Sequence, residues 1–341
     1  MTRKNTSQNS PKWILAVDGG GTKTIAWIAK VMPNDGPLSG KIEVVGRGLS
    51  GPSNPHSVGF LRAISNLDLA IGAALEDASI AMDSLSIACL SLAGVSRPDE
   101  KSELMEWAES RQLAKKIMIV EDVAPLALAA EYEQELDFAH SSGHPIASDW
   151  GQSITLVVGT GSIACGVNAN QERIRVGGWG YLLGDEGSGF AIGLAGLQAV
   201  CRAHDRTGPE TELVSAMLSP LGFASVTQLV AFVYQTPLPR TEIAKLAEVV
   251  IEVSERDSVA AQIIDSAVDS MANLIGVVVK RLRLEPSEVS LALSGGILKH
   301  HASMVNRLRT ILSRGIGTPR TIHVIRQPTH GPLMLAAKDL D

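Results

Sequence analysis

Apolar residues recur along the chain with two periods, and the order of those periods is the first guide to the fold. Short apolar runs are typical of β-strands, and longer stretches in which apolar residues return every three or four positions are typical of helices. In the first half the pattern predicts strands at about 13–18, 24–31, 41–47, 85–92 and 117–121, and helices at about 57–77, 99–113 and 123–135. The predicted order is βββαβαβα.

The same order returns after residue 150. The pattern predicts strands at about 154–159, 162–168, 172–176, 289–293 and 320–326, and helices at about 187–204, 241–282, 297–313 and 330–340, with an irregular insert up to about 240. Because repeated order of elements is the sequence signature of internal duplication, we interpret the chain as a duplicated α/β unit.

Domain boundaries follow from this duplication. With 341 residues, 45% of them apolar, the chain is long enough to form two cores. We predict a disordered tail at 1–12, an N-terminal domain at 13–135, a linker at 136–150 and a C-terminal domain at 151–341. The last helix, about 330–341, is free to pack back on the N-terminal domain.

Composition narrows the classes of partner and the compartment. A net charge of −6 without a basic cluster argues against nucleic-acid binding, which needs a basic surface. Cys89, Cys165 and Cys201 are odd in number and far apart, which fits a reducing cytoplasm better than a disulfide framework. The longest charge-free helical stretch, 187–201, is too short to span a bilayer. We therefore expect a cytoplasmic protein without a membrane or nucleic-acid partner.

Three apolar strands end in turns of small residues. These turns are Asp18-Gly-Gly-Gly-Thr22, Gly159-Thr-Gly-Ser162 and Ser294-Gly-Gly296. Glycine lets the backbone approach a phosphate closely because it has no Cβ. A single turn of this kind can be a hairpin without a ligand, but three of them make a nucleotide triphosphate the leading ligand.

Two common nucleotide motifs fail on spacing at the first turn. A P-loop has glycine directly before its lysine, whereas Lys23 follows Thr22. A dinucleotide fingerprint has a third glycine three residues after the second, but Thr24 stands there and residues 25–31 read as a strand. The first turn is therefore predicted to join two strands of a hairpin.

Two aspartates beside these turns have the chemistry that phosphoryl transfer requires. Asp122 ends an apolar strand at the edge where open α/β sheets bind ligands, and can accept the proton of an attacking hydroxyl. It could instead only cap the following helix. Asp18 beside a phosphate would be repulsive without a cation, so it implies Mg²⁺, held through water.

The segment 177–189, Gly-Gly-Trp-Gly-Tyr-Leu-Leu-Gly-Asp-Glu-Gly-Ser-Gly, carries the most specific resemblance. It resembles a block of the N-acetylglucosamine kinase and BadF/BadG/BcrA/BcrD ATPase family, within the sugar kinase, heat-shock chaperone and actin superfamily. The three glycine turns resemble that superfamily's two phosphate motifs and its adenosine motif. The resemblance extends from Trp13 to the final helix. It implies two ribonuclease-H-like βββαβαβα domains, the actin-like ATPase fold, around a nucleotide cleft.

The resemblance also implies an activity and a set of site residues. The implied enzyme uses ATP and Mg²⁺ to phosphorylate an amino sugar, foremost N-acetylglucosamine to N-acetylglucosamine 6-phosphate, with Asp122 as the catalytic base and a homodimer left open. The implied ATP-binding residues are Asp18, Gly20, Gly21, Thr22, Thr160, Gly161, Gly295, Gly296 and His300. The implied sugar-binding residues are Asn54, Asp122, Ser162, Ile163, Gly178, Trp179, Gly180, Tyr181, Leu182 and Asp185.

Several of these sugar-binding residues have plainer interpretations. Trp179 could be a core residue, and Asp185 with Glu186 could be the acidic start of the next helix. Two departures from the animal enzymes each remove a polar contact: Ala93-Gly94-Val95 stands in place of Ser-Gly-Gly, and Ile163 in place of an amide side chain. Glucosamine or another amino sugar therefore stays open as the substrate.

Two other classes of protein remain alternatives. Some members of the resembled family are ATPase activators of reductases or dehydratases and hold an iron-sulfur cluster between subunits, which requires paired cysteines. Cys89 and Cys165 lie in predicted strands and Cys201 in a predicted helix, so no such pair is evident. A non-catalytic sugar sensor is the other alternative, and the retention of Asp18 and Asp122 argues against it.

Overall fold

The structure, a computed structural model, describes residues 11–32, 42–140, 150–236 and 238–340. They divide into two units. Unit 1 contains the described residues up to Trp150 together with those from Ile325 onward, and unit 2 contains those from Gly151 to Val324. Each unit is built on one mixed sheet of five strands.

The sheet of unit 1 consists of β1 (Lys12–Gly19), β2 (Thr24–Val31), β3 (Ile42–Ser50), β4 (Ile87–Leu92) and β5 (Lys116–Glu121). Its strand order is β3-β2-β1-β4-β5. β1 and β2 pair antiparallel from Lys12 opposite Val31 to Gly19 opposite Thr24, so the predicted hairpin is confirmed. β1, β4 and β5 are parallel, which brings their carboxyl ends to one edge of the sheet.

Helices cover both faces of this sheet. The helices of unit 1 are α1 (Pro55–Val58), α2 (Phe60–Ala78), α3 (Pro98–Ser110), α4 (Leu126–His140) and α12 (His330–Lys338). One face, including Leu15 and Ile28, forms a core with residues of α2 and α3. The other face, including Ile14 and Ala16, is covered by Leu333 and its neighbours on α12. A helix from the far end of the chain thus completes unit 1.

Unit 2 repeats the arrangement with β6 (Ser153–Val158), β7 (Ser162–Val167), β8 (Arg173–Gly177), β9 (Ser290–Ser294) and β10 (Thr321–Val324) in the order β10-β9-β6-β7-β8. Here too the first three strands are antiparallel and the last two run parallel to the first. Read from the other edge, this is the order of unit 1. The predicted pair of βββαβαβα domains is therefore confirmed.

The helices of unit 2 are α5 (Gly189–His204), α6 (Leu213–Leu221), α7 (Gln228–Val233), α8 (Arg240–Val253), α9 (Ser258–Leu282), α10 (Gly296–His300) and α11 (Ala302–Gly315). By length and apolarity alone α9 could cross a membrane. One face of it, including Ile264, Met271 and Val278, is buried in the core of the unit, as is typical of a core helix of a globular domain.

The largest differences between the sequence predictions and the structure concern the insert and the last helix of the first half. The insert expected to be irregular up to about 240 contains α6 and α7, because Leu213 and Met217 are buried in the core and hold that segment in place. The helix expected from residue 123 begins only at Leu126, after a turn. It continues to His140, into the predicted linker, while residues 141–149 and the tail residues 1–10 lie outside the described part.

Candidate functional site

The hairpin between β1 and β2 presents the first glycine turn of unit 1. The Gly20 amide donates to the Lys23 carbonyl over 3.0 Å, and Gly21 and Thr22 form an exposed tip. Neither Gly20 nor Gly21 has a left-handed backbone, and an added Cβ would meet no atom closer than 3.7 Å. The fold itself therefore does not demand glycine at these two positions, and their open backbone leaves room for a ligand to approach closely.

Two carboxylates lie at the carboxyl edge of the same sheet. Asp18 is the last but one residue of β1, and Asp122 directly follows β5, with its amide donating to the Leu92 carbonyl over 3.1 Å. Burial first, and the nearby Asp122 second, raise the pKa of Asp18 to about 7, while Lys23 opposes the shift. The carboxyl groups are therefore near enough to each other to interact through space.

The position of Asp122 bears on its alternative interpretation as a helix cap. A capping side chain belongs to the residue directly before the helix. Since α4 begins at Leu126, Asp122 lies four positions before the first helical residue and is misplaced for that role. It stands at the open end of the sheet instead.

The acidic pair also suits the metal that Asp18 implies. Mg²⁺ prefers oxygen ligands and usually takes one or two carboxylates, completing its shell with water and substrate phosphates. No cluster of three His, Cys, Asp or Glu side chains suited to a metal occurs in the described part of the chain. Asp18, with Asp122 near it, therefore fits a Mg²⁺ ion shared with a ligand rather than one caged by protein.

Asn54 lies against the first hairpin and the loop after β4. Its amide donates to the Gly20 carbonyl over 3.3 Å, and its Oδ1 accepts from the His56 amide over 2.9 Å. Gly94 has a left-handed φ of 79°, and a Cβ there would lie 2.4 Å from Asn54 Oδ1. Ala93-Gly94-Val95 is one of the two departures from the animal enzymes, and its glycine makes room for Asn54. Unit 1 gathers Asp18, Gly20, Asn54 and Asp122 at one sheet edge.

The second hairpin, in unit 2, is braced by a buried carboxylate. Asp185 Oδ1 accepts from the Ser162 amide over 3.2 Å, and the Ser162 hydroxyl donates to the Glu186 carbonyl over 2.7 Å. Ser162 is itself buried, so its side chain is used within the protein, while Thr160 and Ile163 remain partly exposed.

Asp185 is an unusual residue in its backbone and its charge. It adopts a left-handed φ of 63°, which non-glycine residues rarely do. Burial raises the pKa of its carboxyl group, and the Ser162 amide and Arg240 oppose that shift. The helix-start interpretation of Asp185 is wrong, because α5 begins at Gly189 and Ser188 caps it, its hydroxyl accepting from the Ala191 amide over 3.2 Å.

The segment between β8 and α5 exposes one of the two aromatic residues it contains. Trp179 is 75% exposed, so its interpretation as a core residue is wrong. Leu182 is also exposed, whereas Tyr181 packs edge to face against Phe190. Gly177, Gly178 and Gly180 all have left-handed backbones, which explains why glycine occurs at these positions.

The third turn adjoins the second hairpin. Gly295 follows β9 with a left-handed φ of 94°, and a Cβ there would lie 2.2 Å from the Val158 carbonyl oxygen. Gly296, the first residue of α10, has no left-handed backbone and open space around it. His300 is exposed at the end of α10. The fold therefore requires Gly295, and the case for close ligand approach rests on Gly296.

Arg240 belongs to this site and was missed from the sequence. Its guanidinium lies over the Tyr181 ring, with 4.5 Å from Cζ to the ring centroid, and it lowers the pKa of Asp185. An arginine at the start of an amphipathic helix has no distinguishing signal in the sequence. Only the contact with the segment 177–189 identifies it.

The chain is similar over nearly its whole length to proteins with sugar-kinase names. It is 27% identical to an N-acetylmuramic acid/N-acetylglucosamine kinase of Clostridium acetobutylicum, covering 97% of this chain and 100% of that one. It is also 27% identical to an N-acetyl-D-glucosamine kinase of Dictyostelium discoideum, covering 96% of this chain and 98% of that one.

Solved structures share the fold at lower identity. A protein of Chromobacterium violaceum, described as a candidate N-acetylglucosamine kinase, superposes with a TM-score of 0.71 at 20% identity, covering 95% of this chain and 98% of that one. The profile of one family matches residues 15–337 of this chain, almost all of both units. The resemblance carried by the glycine turns and the segment 177–189 is thus confirmed, and the chain belongs to the BadF/BadG/BcrA/BcrD ATPase family.

Proposed function

We propose that this protein is an ATP-dependent kinase that transfers a phosphoryl group to a hydroxyl of an amino sugar, foremost the 6-hydroxyl of N-acetylglucosamine. The observation that carries the proposal is the carboxylate pair of Asp18 and Asp122 beside a hairpin in which the fold itself does not require Gly20 or Gly21. The names of the two sugar-kinase relatives, which match from end to end, support the same activity.

Asp122 is the proposed general base. Phosphoryl transfer requires little covalent work from a protein beyond positioning, charge stabilisation and a group that accepts the proton of the attacking hydroxyl. Asp122 stands at the carboxyl end of β5, with Asn54 at the same edge of unit 1 to hydrogen-bond a sugar hydroxyl. In this arrangement Asp122 takes the hydroxyl proton as the oxygen attacks the terminal phosphorus atom.

The remaining proposed contacts divide between phosphate and sugar. Asp18 would hold Mg²⁺, which when bound neutralises phosphate charge. Thr22 and Thr160 would donate hydroxyl hydrogen bonds to phosphate oxygens, and Gly296 and His300 would lie near the adenosine. The exposed ring of Trp179 can cover the apolar face of a pyranose.

The activator alternative is opposed by the cysteines. Iron-sulfur clusters are held by thiolates. Cys89 is fully buried on β4 of unit 1, where a cluster shared between subunits could not reach it, and Cys165 and Cys201 lie on separate elements of unit 2, β7 and α5. An absorption spectrum of anaerobically purified protein should accordingly lack the visible bands of a cluster.

A substrate screen tests the proposal. The protein is incubated with ATP and Mg²⁺ and, in turn, with N-acetylglucosamine, N-acetylmuramic acid, glucosamine, N-acetylmannosamine and glucose. ADP release is measured together with the mass of the product. We expect ADP and a phosphorylated amino sugar in equal amounts, with N-acetylglucosamine among the best acceptors. ATP turnover at the same rate with and without every sugar would overturn the kinase proposal.

A further inference from the structure

Arg240 has a fixed place in unit 2. It is the first residue of α8, and its guanidinium stacks on Tyr181 at 4.5 Å. The Tyr181 ring is in turn held by Phe190, with 5.2 Å between ring centroids. The N–H groups of a guanidinium lie in its own plane. A guanidinium that lies over an aromatic ring can therefore still bind a ligand with the N–H groups along its edge.

This guanidinium is not paired within the described part of the chain. Nε is buried and has no hydrogen-bond acceptor there, and the terminal nitrogens make no ion pair with any described residue. A buried donor without an acceptor is unfavourable, and a cation at a helix N-terminus faces the positive end of the helix dipole. Stacking on Tyr181 offsets only part of this cost. Because this arrangement does not favour folding, we look for its explanation in ligand binding.

Arg240 lies close to residues that hold the second hairpin in place. Asp185, whose pKa it lowers, accepts a hydrogen bond from the Ser162 amide of that hairpin. One turn after Arg240, the Ala244 carbonyl packs on Gly189, the same residue that lies against the Gly159 carbonyl. The first turn of α8 and the segment 177–189 therefore meet at the base of the hairpin.

We infer that the guanidinium of Arg240 binds an oxyanion of a ligand in unit 2, either a phosphate of the nucleotide or a carboxylate on the sugar. The inference rests on the proposed function and adds a residue and a ligand charge to it. The planar fork of arginine matches both carboxylate and phosphate oxygens in pairs. Asp185 alone would repel any such anion, and Arg240 offsets that repulsion.

The test compares anionic ligands with less charged partners of similar shape. Dissociation constants are measured by titration calorimetry for the pair ATP and AMP, for the pair N-acetylmuramic acid and N-acetylglucosamine, and for pyrophosphate alone. The variant is Arg240→Met, which keeps most of the packing of the stem. The control is Arg256→Met, which removes an exposed arginine that is paired with Glu212 over 2.8 Å.

In one of the two ligand pairs, Arg240→Met should weaken binding of the more anionic ligand by about 10- to 100-fold, as expected for loss of a charged hydrogen bond. The dissociation constant of the less charged ligand of that pair should stay within about 2-fold of the wild-type value. The pair that responds identifies the source of the oxyanion. Arg256→Met should change neither the ratio of the dissociation constants for ATP and AMP nor the ratio for N-acetylmuramic acid and N-acetylglucosamine. If both ratios in folded Arg240→Met equal those of the wild type, or if all ligands weaken equally, the inference is wrong.

Two further measurements keep the inference separate from folding and from the proposed function. Should Arg240→Met unfold, Arg240→Lys keeps the charge and loses the fork, and we expect at least about 5-fold loss of the same ratio. Should the wild type bind no nucleotide or sugar, the proposed function fails. In that event pyrophosphate binding by the wild type but not the variant still supports Arg240, and no binding by either overturns it.

Discussion

The glycine hairpins of the two units have the same place in their sheets but different chemistry. In both, the strand after the turn begins with a buried hydroxyl residue, Thr24 or Ser162, which donates over 2.7 Å to a carbonyl in the loop after the third strand. One pair further along the ladder, the first strand carries Asp18 in unit 1 and Val157 in unit 2. The repeat has kept the scaffold of the turn, and only one copy carries a carboxylate.

In unit 2 a carboxylate in the loop after the third strand braces the backbone of the second hairpin. Asp185 accepts from the Ser162 amide, and Gly189 donates to the Gly159 carbonyl over 2.8 Å. The carboxylate of unit 1 thus lies on the hairpin strand itself, whereas the carboxylate of unit 2 reaches its hairpin from the loop after the third strand. Fixed backbone dipoles need no reorganisation when charge develops beside them.

The largest effect should come from removing the proposed base of unit 1. Asp122→Asn keeps the shape of the side chain but cannot take a proton, so kcat should fall about 10²–10⁴-fold, with sugar affinity little changed. Steady-state kinetics at saturating ATP and sugar measure it. Glu121→Gln, which neutralises the preceding carboxylate, is the matched control and should stay within about 3-fold of wild type. A near-normal kcat for Asp122→Asn would move the base elsewhere, with Asp185 the next to test.

The two glycines after β9 should separate folding from binding in unit 2. Gly295→Ala places a Cβ 2.2 Å from the Val158 carbonyl oxygen in a left-handed backbone, and we expect a loss of about 2–4 kcal/mol in the free energy of unfolding. Gly296→Ala meets no atom and should leave stability equal or about 0.5 kcal/mol higher. It should nonetheless raise KM for ATP at least about 10-fold, without a matching change for sugar. Normal ATP kinetics in Gly296→Ala would remove this turn from the nucleotide site.

A moderate effect on stability should reveal the carboxylate that distinguishes unit 1. The pKa of Asp18 lies near 7 in the folded protein and near 3.8 normally, so the native state holds more protons than the unfolded state between those values. Wild-type stability should therefore fall as pH rises from about 4 to 7. The Asp18→Asn variant cannot titrate at this position, so its stability should not show this fall.

Urea denaturation without divalent cations measures the difference. Asp18→Asn should equal wild type at about pH 4 and exceed it by about 2 kcal/mol at pH 8, half the full linkage value because Asp18 is partly exposed. Asp77→Asn, which neutralises an exposed carboxylate on α2, should show no such gain. Lower stability of Asp18→Asn at pH 8 would contradict the burial cost assigned to this side chain.

The smallest effect should come from the hydroxyl pair that the two hairpins share. Thr24→Val removes the contacts of its hydroxyl with the Gly51 carbonyl and the Ser53 hydroxyl, and Ser162→Ala removes one hydrogen bond, so each should lower the free energy of unfolding by about 1–2 kcal/mol. Catalytic constants should change less than about 3-fold if both hydroxyls serve only the scaffold. A sugar KM raised 10-fold by Ser162→Ala alone, at unchanged stability, would instead restore Ser162 as a direct sugar contact.

Most of the fold was predictable because its strands are buried on both faces or alternate regularly. The hairpin of β1 and β2 could be read from two apolar runs around one glycine turn, and its bounds differ by only a residue. The insert containing α6 could not, since Pro220 and short helices conceal the periodicity. Nor does any local pattern tell which unit will bury Leu333 of α12, because that choice depends on the surface the helix meets.

The position of a candidate site residue in the fold was predictable where chemistry and strand ends coincide, as at Asp18 and Asp122. It was not predictable where a residue acts through contacts distant in sequence. Asp185 looked like a ligand to sugar, and the structure also gives it a hydrogen bond to the second hairpin. Arg240 and Tyr181 lie far apart in sequence, and their stacking has no signature in either segment.

The return of the chain to unit 1 has a consequence for the order of folding. Glu133 of α4 is fully buried and accepts from the amides of Arg326 and Gln327, which fixes the segment leading into α12. Until that segment is synthesised, the sheet face of Ile14 and Ala16 has no cover, although its own strands were among the first made. Unit 2, continuous in sequence, can complete its core first. The ribosome thus holds an early half with an open apolar face through the synthesis of the later one, the stage at which a chaperone would be most needed.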